Sequence, residues 1–367
     1  MANQFVTLQE IARATLPRLY EKLVFPNLCY KDFSNEYKDM GDTIQVRKPV
    51  ILEAQEFDQS VGTTDQDIKE NTVPVKLEKI ATVDVSISAL EGAVNVSDYN
   101  RIFIEPAAVA LAQKINSDGL DLYKDIPYIC GIAGTTPGDL TALAAVRKAL
   151  NVNFVPEDPR NAVWDPEADA AFTTIPSIVN AEKSGSTEAL RSGAIGRIFG
   201  LNNYMSQAVK KHSTGTLSGT PKAKGDTAAG AKTLVLTAAT LSGTLVKGDV
   251  LTILNDTYVV TATAQAASNE ITVGIYPALK KDIKTTTVIG ITPDHTANLA
   301  FNPFAFAYVT RPLVKPSGVE SYVTSFNDLS LRVVKGYDMK YKKEKLSMDV
   351  LYGYKTVYPE LAVRVLG

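Results

Sequence analysis

The feature that most constrains the fold of this chain is a change of composition that follows His212. From residue 213 to residue 296 the sequence is rich in Gly, Thr, Ser and Ala and has few aromatic residues. Within it, about five short apolar runs are separated by Gly, Asn and Asp, a spacing typical of the strands of a small β-barrel or sandwich. The sequence on either side is more aromatic and mixes helical with strand patterns. We therefore predict a small all-β domain inserted into a larger α+β fold.

The N-terminal third of the chain predicts a helix, an arm of long strands and a second helix. Apolar residues recur at helical spacing from Leu8 to Leu23, where Pro17 favours a short or kinked helix. From Thr43 to Ser88 the period changes to two, which predicts strands around a polar, acidic stretch. Because isolated hairpins are marginal in water, we expect this arm to rest on another molecule. The best helical pattern runs from Asn100 to Ile126, with Pro106 in a first-turn position.

Further elements are predicted on both sides of the Gly- and Thr-rich stretch. Thr136 and Asp139 have the spacing of a capping box before a helix that is expected to end near Asn151. The next twenty or so residues, which hold the only tryptophan, Trp164, are predicted as loop and short strand. From Ser330 to the last residue the pattern predicts long strands.

Composition excludes several classes of function. The 367 residues include 38 Lys and Arg against 40 Asp and Glu, a formal net charge of -2, so strong binding of nucleic acid by the whole chain is not expected. Cys29 and Cys130 lie far apart, and His212 and His295 are the only histidines, which argues against a His/Cys zinc site. We predict no metal and no cofactor. No apolar run reaches the roughly 18 residues that span a bilayer, so we expect no membrane partner.

Two glycine-rich strings and one basic string are candidates for binding phosphate groups. Gly225 to Thr233 resembles a phosphate-binding loop, but a strand pattern follows it where a helix is required. Gly193 to Ser206 has glycines spaced as in a dinucleotide site, but without the flanking strand and helix, so we predict a turn that leads into a strand. Lys340 to Lys345 is predicted as a solvated strand face or hairpin tip, with a modest contact to nucleic-acid phosphates as the alternative.

Paired carboxylates are the next candidates for chemistry. Asp165 with Glu167, or Asp249 with Asp256, has the residue types of a glycosidase pair. Neither pair is flanked by the aromatic clusters that a sugar site needs. We therefore expect all four to be solvated surface acids.

The two histidines complete the search for a catalytic site. Ser206, His212 and Asp249 have the residue types of a hydrolase triad, but the chain has no G-x-S-x-G motif. His212 follows two lysines at the apparent domain boundary and is predicted to be an exposed linker residue, and His295 is predicted to be exposed in a turn. We predict no catalytic, cofactor-binding or metal-binding residue, and hence a protein that is not an enzyme.

The order of elements resembles that of the major capsid proteins of tailed double-stranded DNA bacteriophages, the Hong Kong 97-type fold. The resemblance covers nearly the whole chain and is diffuse rather than a short signature. The strands around LVKGDVLTI are similar to the inserted domain of P-twenty-two-type coat proteins. The segments that carry the wider resemblance are VPEDPRNAVWDPEADAAF, SGAIGRIFGLNNYMS, NLAFNPFAFAYVTRPL and GYDMKYKKEKLSMDVLYGYKTVYPELAVRVL.

The resemblance implies a domain plan and a function. The subunit would assemble in the host cytoplasm into pentamers and hexamers of an icosahedral procapsid, and would end as the capsid of a virion around double-stranded DNA. The implied domains are an N-terminal arm at 1–40, an extended β-arm (E-loop) at 41–90, a peripheral domain with the spine helix at 91–135, an axial domain at 136–212, the inserted β-domain at 213–296, and returning strands of the axial and peripheral domains at 297–367.

The same resemblance implies partners. Because only residues 1–42 precede the β-arm, we expect a separate scaffolding protein rather than a fused assembly domain. A portal protein and weak, non-specific contact with packaged DNA are the other expected partners. Three alternatives stay open: an encapsulin-like shell, a β-rich module that binds sugars or a host surface, and a hydrolase, which the missing nucleophile disfavours.

Overall fold

The computed structural model describes residues 8–31, 43–47, 72–88, 104–180, 188–327, 329–340 and 343–367. Contacts divide the chain into two units. Unit 1 comprises Met1–Tyr20, Lys31–Leu111 and Ala307–Val357, and unit 2 comprises Glu21–Tyr30, Ala112–Phe306 and Tyr358–Gly367. Within the described ranges, no helix is long and apolar enough to cross a membrane.

Both helices and strands are present, as the predicted α+β class requires. In the described part of the chain, the 3-10 segments Asp121–Asp125, Pro303–Ala305 and Pro359–Leu361 accompany the α-helices. The α-helices of the described residues are α1 (Leu8–Lys22), α2 (Phe25–Leu28), α3 (Glu105–Leu120), α4 (Leu140–Val152), α5 (Pro166–Thr173), α6 (Pro176–Val179) and α7 (Glu188–Ser192).

Strands dominate the second half of the chain. In the first half they are β1 (Thr43–Arg47), β2 (Thr72–Lys76), β3 (Lys79–Ser88), β4 (Ile129–Gly131) and β5 (Asn161–Trp164). Around residues 213–296 they are β6 (Arg197–Ile198), β7 (Leu201–Met205), β8 (Lys211–His212), β9 (Lys222–Ala223), β10 (Thr233–Thr237), β11 (Thr244–Leu245), β12 (Val250–Ile253), β13 (Asp256–Val260), β14 (Ala264–Gln265), β15 (Glu270–Tyr276) and β16 (Gly290–Ile291). The last are β17 (His295–Phe301), β18 (Phe306–Arg311), β19 (Glu320–Phe326), β20 (Leu329–Asp338), β21 (Lys343–Thr356) and β22 (Ala362–Leu366).

Unit 1 is organised around an antiparallel sheet in the order β18-β21-β20-β19, with β3 paired to the long strand β21. The predicted alternation in β3 is confirmed, because Val83 and Val85 are half-buried while Thr82 and Asp84 are exposed. The Arg18 guanidinium lies 3.1 Å from the carboxylate of Glu105 and joins α1 to the start of α3.

A separate two-stranded ladder in unit 1 pairs β1 with β2, from Thr43 opposite Lys76 to Arg47 opposite Thr72. The predicted strands are therefore confirmed, and the polar stretch between them, residues 48–71, lies outside the described residues. The ladder passes close to β21, where a Cβ on Gly353 would lie 2.3 Å from the carbonyl oxygen of Lys76. Only glycine allows this approach.

Unit 2 contains a seven-stranded sheet in which β4-β22-β17-β5-β7-β6 lie side by side and β8 pairs with β17. Apolar residues of α4, such as Leu143 and Leu150, are buried against it in one core with Trp164 and Phe172. The rings of Trp164 and Phe172 meet edge to face at 4.9 Å. This arrangement accounts for the burial of the only tryptophan.

The 213–296 segment forms a sheet of its own within unit 2, in the order β16-β12-β13-β15-β10-β9, and a small ladder of β11 with β14. Each of the five apolar runs of the sequence is one of these strands, so their prediction is confirmed. The sheet has its own buried core, which includes Leu251, Tyr258 and Val273.

Two helix boundaries differ from prediction. The helix predicted from Asn100 to Ile126 ends at Leu120 and continues as the 3-10 segment, and residues 100–103 are not among those described. The predicted capping box is wrong, because α4 begins at Leu140 with Asp139 as its N-cap, and Thr136 lies outside the helix. The N-terminal helix α1 is confirmed and contains Pro17 in its interior.

Helix α5 was missed, and its start signal is present in the sequence. The carboxylate of Asp165 accepts a hydrogen bond from the backbone N–H of Glu167 at 3.2 Å, and Pro166 occupies the first turn. An acidic N-cap followed by proline is a standard helix start. The DPEADAAF string therefore carries a helix where loop and strand were expected.

Candidate functional site: a buried polar cluster at the 213–296 segment

Polar side chains from distant parts of the sequence meet inside unit 2, in a set that we call the buried cluster. All are almost inaccessible to solvent. They come from the 3-10 segment after α3, from β8, from the turn before β12, from the start of β17 and from β22. The members are Tyr123, His212, Asp249, His295 and Arg364. The ladder of β8 with β17 has two residue pairs and brings both histidines to one place, since His212 pairs with His295.

The His212 imidazole lies between a phenol and a carboxylate. Its Nε2 is 2.9 Å from Oδ1 of Asp249, and its Nδ1 is 3.0 Å from the hydroxyl oxygen of Tyr123. With Asp249 ionised, Nε2–H donates to the carboxylate, and Nδ1 accepts from the Tyr123 hydroxyl. Burial raises the pKa of Tyr123 to about 12, so this hydroxyl keeps its proton.

Asp249 connects three parts of the chain. Besides His212, its carboxylate accepts from the backbone N–H of Val246 at 2.8 Å and from that of Gly215 at 3.2 Å. Hydrogen bonds to a buried carboxylate are roughly twice as strong as neutral ones. The side chain therefore fixes both the entry into the 213–296 segment and the turn that leads into β12.

The Arg364 guanidinium attaches the last strand to the same place. Its Nη1 donates to the carbonyl oxygen of Gly248 at 2.8 Å, and its central carbon lies 4.6 Å from the centre of the Tyr123 ring. Burial lowers the pKa of Arg364 to about 10, and Tyr123 and Asp249 oppose this shift. Gly248 has φ +98°, and a Cβ there would lie 2.7 Å from Cγ of Lys124. The backbone conformation and the close approach to Lys124 therefore both favour glycine at this position.

Among the described residues, His295 forms one side-chain hydrogen bond. Its Nδ1 donates to the carbonyl oxygen of Pro293 at 2.7 Å, and its ring centre lies 5.3 Å from that of His212. Within the described part of the chain, its buried Nε2 has no hydrogen-bond partner. Burial first, and the nearby Arg364 charge second, lower the pKa of His295 to about 4. The ring is therefore neutral at neutral pH.

Other contacts fix the 213–296 segment to the rest of unit 2. Nζ of Lys247 lies 2.8 Å from the carboxylate of Asp125. The Tyr276 hydroxyl donates to the carboxylate of Glu360. The Lys280 ammonium lies 5.7 Å from the centre of the Tyr128 ring. Together with the buried cluster, these contacts hold the segment through side chains from several of its strands and turns.

Two sequence predictions about histidine are wrong. His212 and His295 are buried rather than exposed. The error has one physical cause: the neighbouring Lys211 and Asp294 are exposed, while the β8–β17 ladder turns both imidazoles inward. Local sequence does not report such a long-range pairing.

The predictions for the carboxylates are partly wrong. Asp249 and Asp165 are buried, the first in the cluster and the second as the cap of α5. Glu167 is exposed, as predicted. Asp256 is half-buried and lies 3.3 Å from Nζ of Lys280. Both buried acids satisfy backbone N–H groups, which is why they tolerate burial.

The hypothetical triad is only half assembled. The structure brings His212 and Asp249 together, but the Ser206 hydroxyl accepts from the N–H of Ala208 at 3.2 Å. Both ring nitrogens of His212 are engaged by Tyr123 and Asp249. The arrangement is suited to holding the chain together and leaves no position for a serine nucleophile.

The glycine-rich and basic strings lie where the preferred predictions placed them. Strand β10 follows the string from Gly225, and the Gly193–Ser206 string forms a turn that leads into β7. The Lys340–Lys345 string is the tip of the β20–β21 hairpin, with Asp338 opposite Lys343 and Lys345 bonded to Asp338 at 2.8 Å. Residues 341 and 342 lie outside the described ranges.

Sequence reasoning missed Tyr123 and Arg364 altogether, because neither belongs to a motif. One signal was available for Arg364. It interrupts the apolar run LAVRVL, in which every residue of β22 is buried. An arginine within an apolar strand indicates a buried cation with specific partners.

No protein-family model and no curated protein matches the sequence. Solved structures do match. A chain from Mycobacterium phage Che8 has a TM-score of 0.52 and 15% identity, over 94% of this chain and 90% of its own. A chain from the capsid structure of the cyanophage P-SCSP1u has a TM-score of 0.50 and 14% identity, over 94% of this chain and 88% of its own. The chain therefore has the fold of a phage capsid chain over nearly its whole length.

Proposed function

We propose that this protein is the major capsid protein of a tailed bacteriophage and that its copies assemble into an icosahedral shell around double-stranded DNA. The observation that carries the proposal is the extent of the fold match. It covers 94% of this chain and 88% of the chain from the cyanophage capsid, so a subunit-sized fold is shared rather than a small motif.

The finer architecture that we propose is the Hong Kong 97-type fold, with the domain boundaries given by the sequence resemblance and residues 213–296 as an inserted domain of P-twenty-two type. The strongest support for an insertion is the pairing of its two ends. Lys211 lies opposite Thr296, and His212 opposite His295. Chain ends that lie side by side are the condition under which a domain is inserted into another.

The proposed role is structural rather than catalytic. His212 and Asp249, which were candidates for catalysis in the sequence, instead help to fix the 213–296 segment through their hydrogen bond at 2.9 Å. A shell subunit needs such fixed elements because its interfaces are large and must be presented in one geometry.

The partners that we propose are further copies of this chain, a separate scaffolding protein and a portal protein, with the shell assembled in the host cytoplasm and found in the virion. Contact with packaged DNA is proposed to be weak, as the formal net charge of -2 favours.

Negative-stain electron microscopy of the purified full chain, alone and co-expressed with its scaffolding protein, tests this function. We expect uniform closed shells with the scaffold, and capsomers or irregular particles without it. Uniform closed shells from the chain alone would contradict the need for a scaffold. Monomers under all conditions would contradict the capsid function itself.

A further inference from the structure

One surface of unit 2 exposes large apolar side chains beside positive charge. We call it the α4 surface. Val152 at the end of α4 is 66% exposed, Phe154 just after it 91%, and Phe199 40%. Val152 and Phe199 line one shallow groove with Arg147 and Lys148. Exposed apolar groups that adjoin one another mark interaction sites more often than single exposed residues do.

The backbone at two of these side chains is strained. Phe154 has φ +54° and Phe199 has φ +50°, in the left-handed region that bulky residues seldom adopt. The two strained segments lie beside one another, because Arg197 next to the second lies 3.0 Å from the carboxylate of Asp158 near the first. Strain of this kind is retained where it presents a side chain for a function.

The charges of α4 are left incompletely matched within the chain. Residues 140–156 contain Arg147 and Lys148 and no acidic residue. Arg147 lies at 4.0 Å from Glu157, a marginal contact. Among the residues that the structure describes, Lys148 forms no ion pair.

Helix α5 and the residues around it are negatively charged. Residues 161–181 contain Asp165, Glu167 and Asp169 and neither Lys nor Arg. In the described ranges none of these carboxylates forms an ion pair. Burial, and then the nearby Asp165, raise the pKa of Asp169.

We propose that the α4 surface of one copy docks against α5 of a second copy. The inference rests on the proposed self-assembly and names the surfaces that take part in it. A second copy is the occupant because the exposed Lys148 and Glu167 are complementary charges of the same chain, and neither forms an ion pair among the described residues. A contact between two different surfaces of identical chains closes a ring when the rotation between neighbouring copies closes, as it does in a pentamer or hexamer. The exposed phenylalanines would supply the apolar centre and the ion pairs the rim.

Charge reversal in the full-length chain tests this contact. The variants are Lys148→Glu, Glu167→Lys and the two combined, each co-expressed with the scaffolding protein. We expect each single variant to lower the yield of sedimenting shells at least tenfold, and the double variant to recover at least half of it. Lys232→Glu is the matched control, since Lys232 is exposed and forms no ion pair among the described residues. Its yield should be unchanged.

Far-ultraviolet circular dichroism and Trp164 fluorescence of the unassembled fraction establish that each variant is folded, and Phe154→Ser provides a second probe of the same surface with the same expected loss. Folded single variants that assemble like the wild type would overturn the contact while leaving the capsid function intact. A folded double variant with no recovery would overturn the pairing of Lys148 with Glu167. A wild-type chain that never assembles would instead overturn the proposed function.

Discussion

Nη1 of Arg364 donates a hydrogen bond to the carbonyl oxygen of Gly248 across 2.8 Å, and so ties the last strand of the chain to the turn before β12. These residues are 116 positions apart in sequence. The same guanidinium lies over the ring of Tyr123, whose hydroxyl contacts His212. The buried cluster therefore joins β22, the turn before β12 and the 3-10 segment after α3. The 213–296 segment should lose its fixed position when the cluster is disrupted.

Arg364→Ala tests the first link. The substitution leaves the buried Gly248 carbonyl without its hydrogen bond and removes the positive charge near Asp249, so we expect unit 2 to lose about 1–3 kcal/mol of its free energy of unfolding. Trp164 is buried in unit 2, and its fluorescence during urea unfolding reports the change. Arg191→Ala is the control, because Arg191 is exposed, and it should leave the midpoint unchanged. Equal midpoints for the two variants would contradict the role of Arg364.

A double-mutant cycle of His212→Ala and Asp249→Ala measures the second link. Because the side chains are buried and bonded at 2.9 Å, the two losses should not add. We expect a coupling energy of about 1–3 kcal/mol between them, measured by the same fluorescence. Additive losses would show that each side chain acts through other contacts, such as the Asp249 bonds to the backbone.

The pKa of His295 predicts a dependence on acid. In the folded state it is lowered from 6.5 to about 4, so between these pH values the unfolded chain binds a proton that the folded chain does not. The contribution of the neutral His295 to the free energy of unfolding is complete above pH 6.5 and is lost as the pH falls toward 4. The groups that oppose the proton are Arg364 and His212, while the Pro293 carbonyl and Asp294 favour it.

We therefore expect the free energy of unfolding of unit 2 to fall by up to about 3 kcal/mol from this residue between pH 7 and pH 4. Urea unfolding of the wild type and of His295→Gln at several pH values separates this part from other groups. The variant should show a smaller fall. Parallel curves for the two proteins would contradict a neutral buried His295.

Two glycines of the 213–296 segment have similar backbone conformations and different surroundings. Gly243 has φ +103°, and a Cβ there would lie 2.3 Å from the Thr216 carbonyl oxygen, whereas Gly230 has φ +88° and nothing within 4 Å. Gly230→Ala should cost about 1–2 kcal/mol through the left-handed backbone alone. Gly243→Ala should cost about 1–3 kcal/mol more through the clash.

Hydrogen–deuterium exchange of the 213–296 segment measures the difference between these two variants. We expect faster exchange throughout the segment for Gly243→Ala than for Gly230→Ala. The reverse order, or equal rates, would show that the close approach of residues 216 and 243 does not stabilise the segment.

Strands with a regular apolar pattern were predicted correctly from the sequence. The alternation around Val83 and Val85 predicted β3, and the apolar runs of residues 213–296 predicted their strands. Helix α5 was predicted as loop and strand even though Asp165 and Pro166 mark its start, because the short string DPEADAAF has too few apolar positions to show a helical period. Here the capping residues were the better signal.

The buried cluster could not be predicted in the same way. Its members meet through the pairing of β8 with β17 and of β17 with β22, which involve residues far apart in sequence. His212 follows two lysines and His295 follows an aspartate, and both neighbourhoods predict exposure. Burial of an imidazole depends on which face of the ladder it occupies, and the sequence around it contains no information about that face.

We propose that copies of this chain build a closed icosahedral shell. Cryo-electron microscopy tests this proposal on particles purified from cells that express the chain alone or together with the proposed scaffolding protein. We expect a reconstruction with icosahedral symmetry, built from pentamers and hexamers, into which the subunit fits with the 213–296 segment attached through Arg364 and Asp249. Particles without icosahedral symmetry, or a shell whose subunit density does not fit this fold, would contradict it.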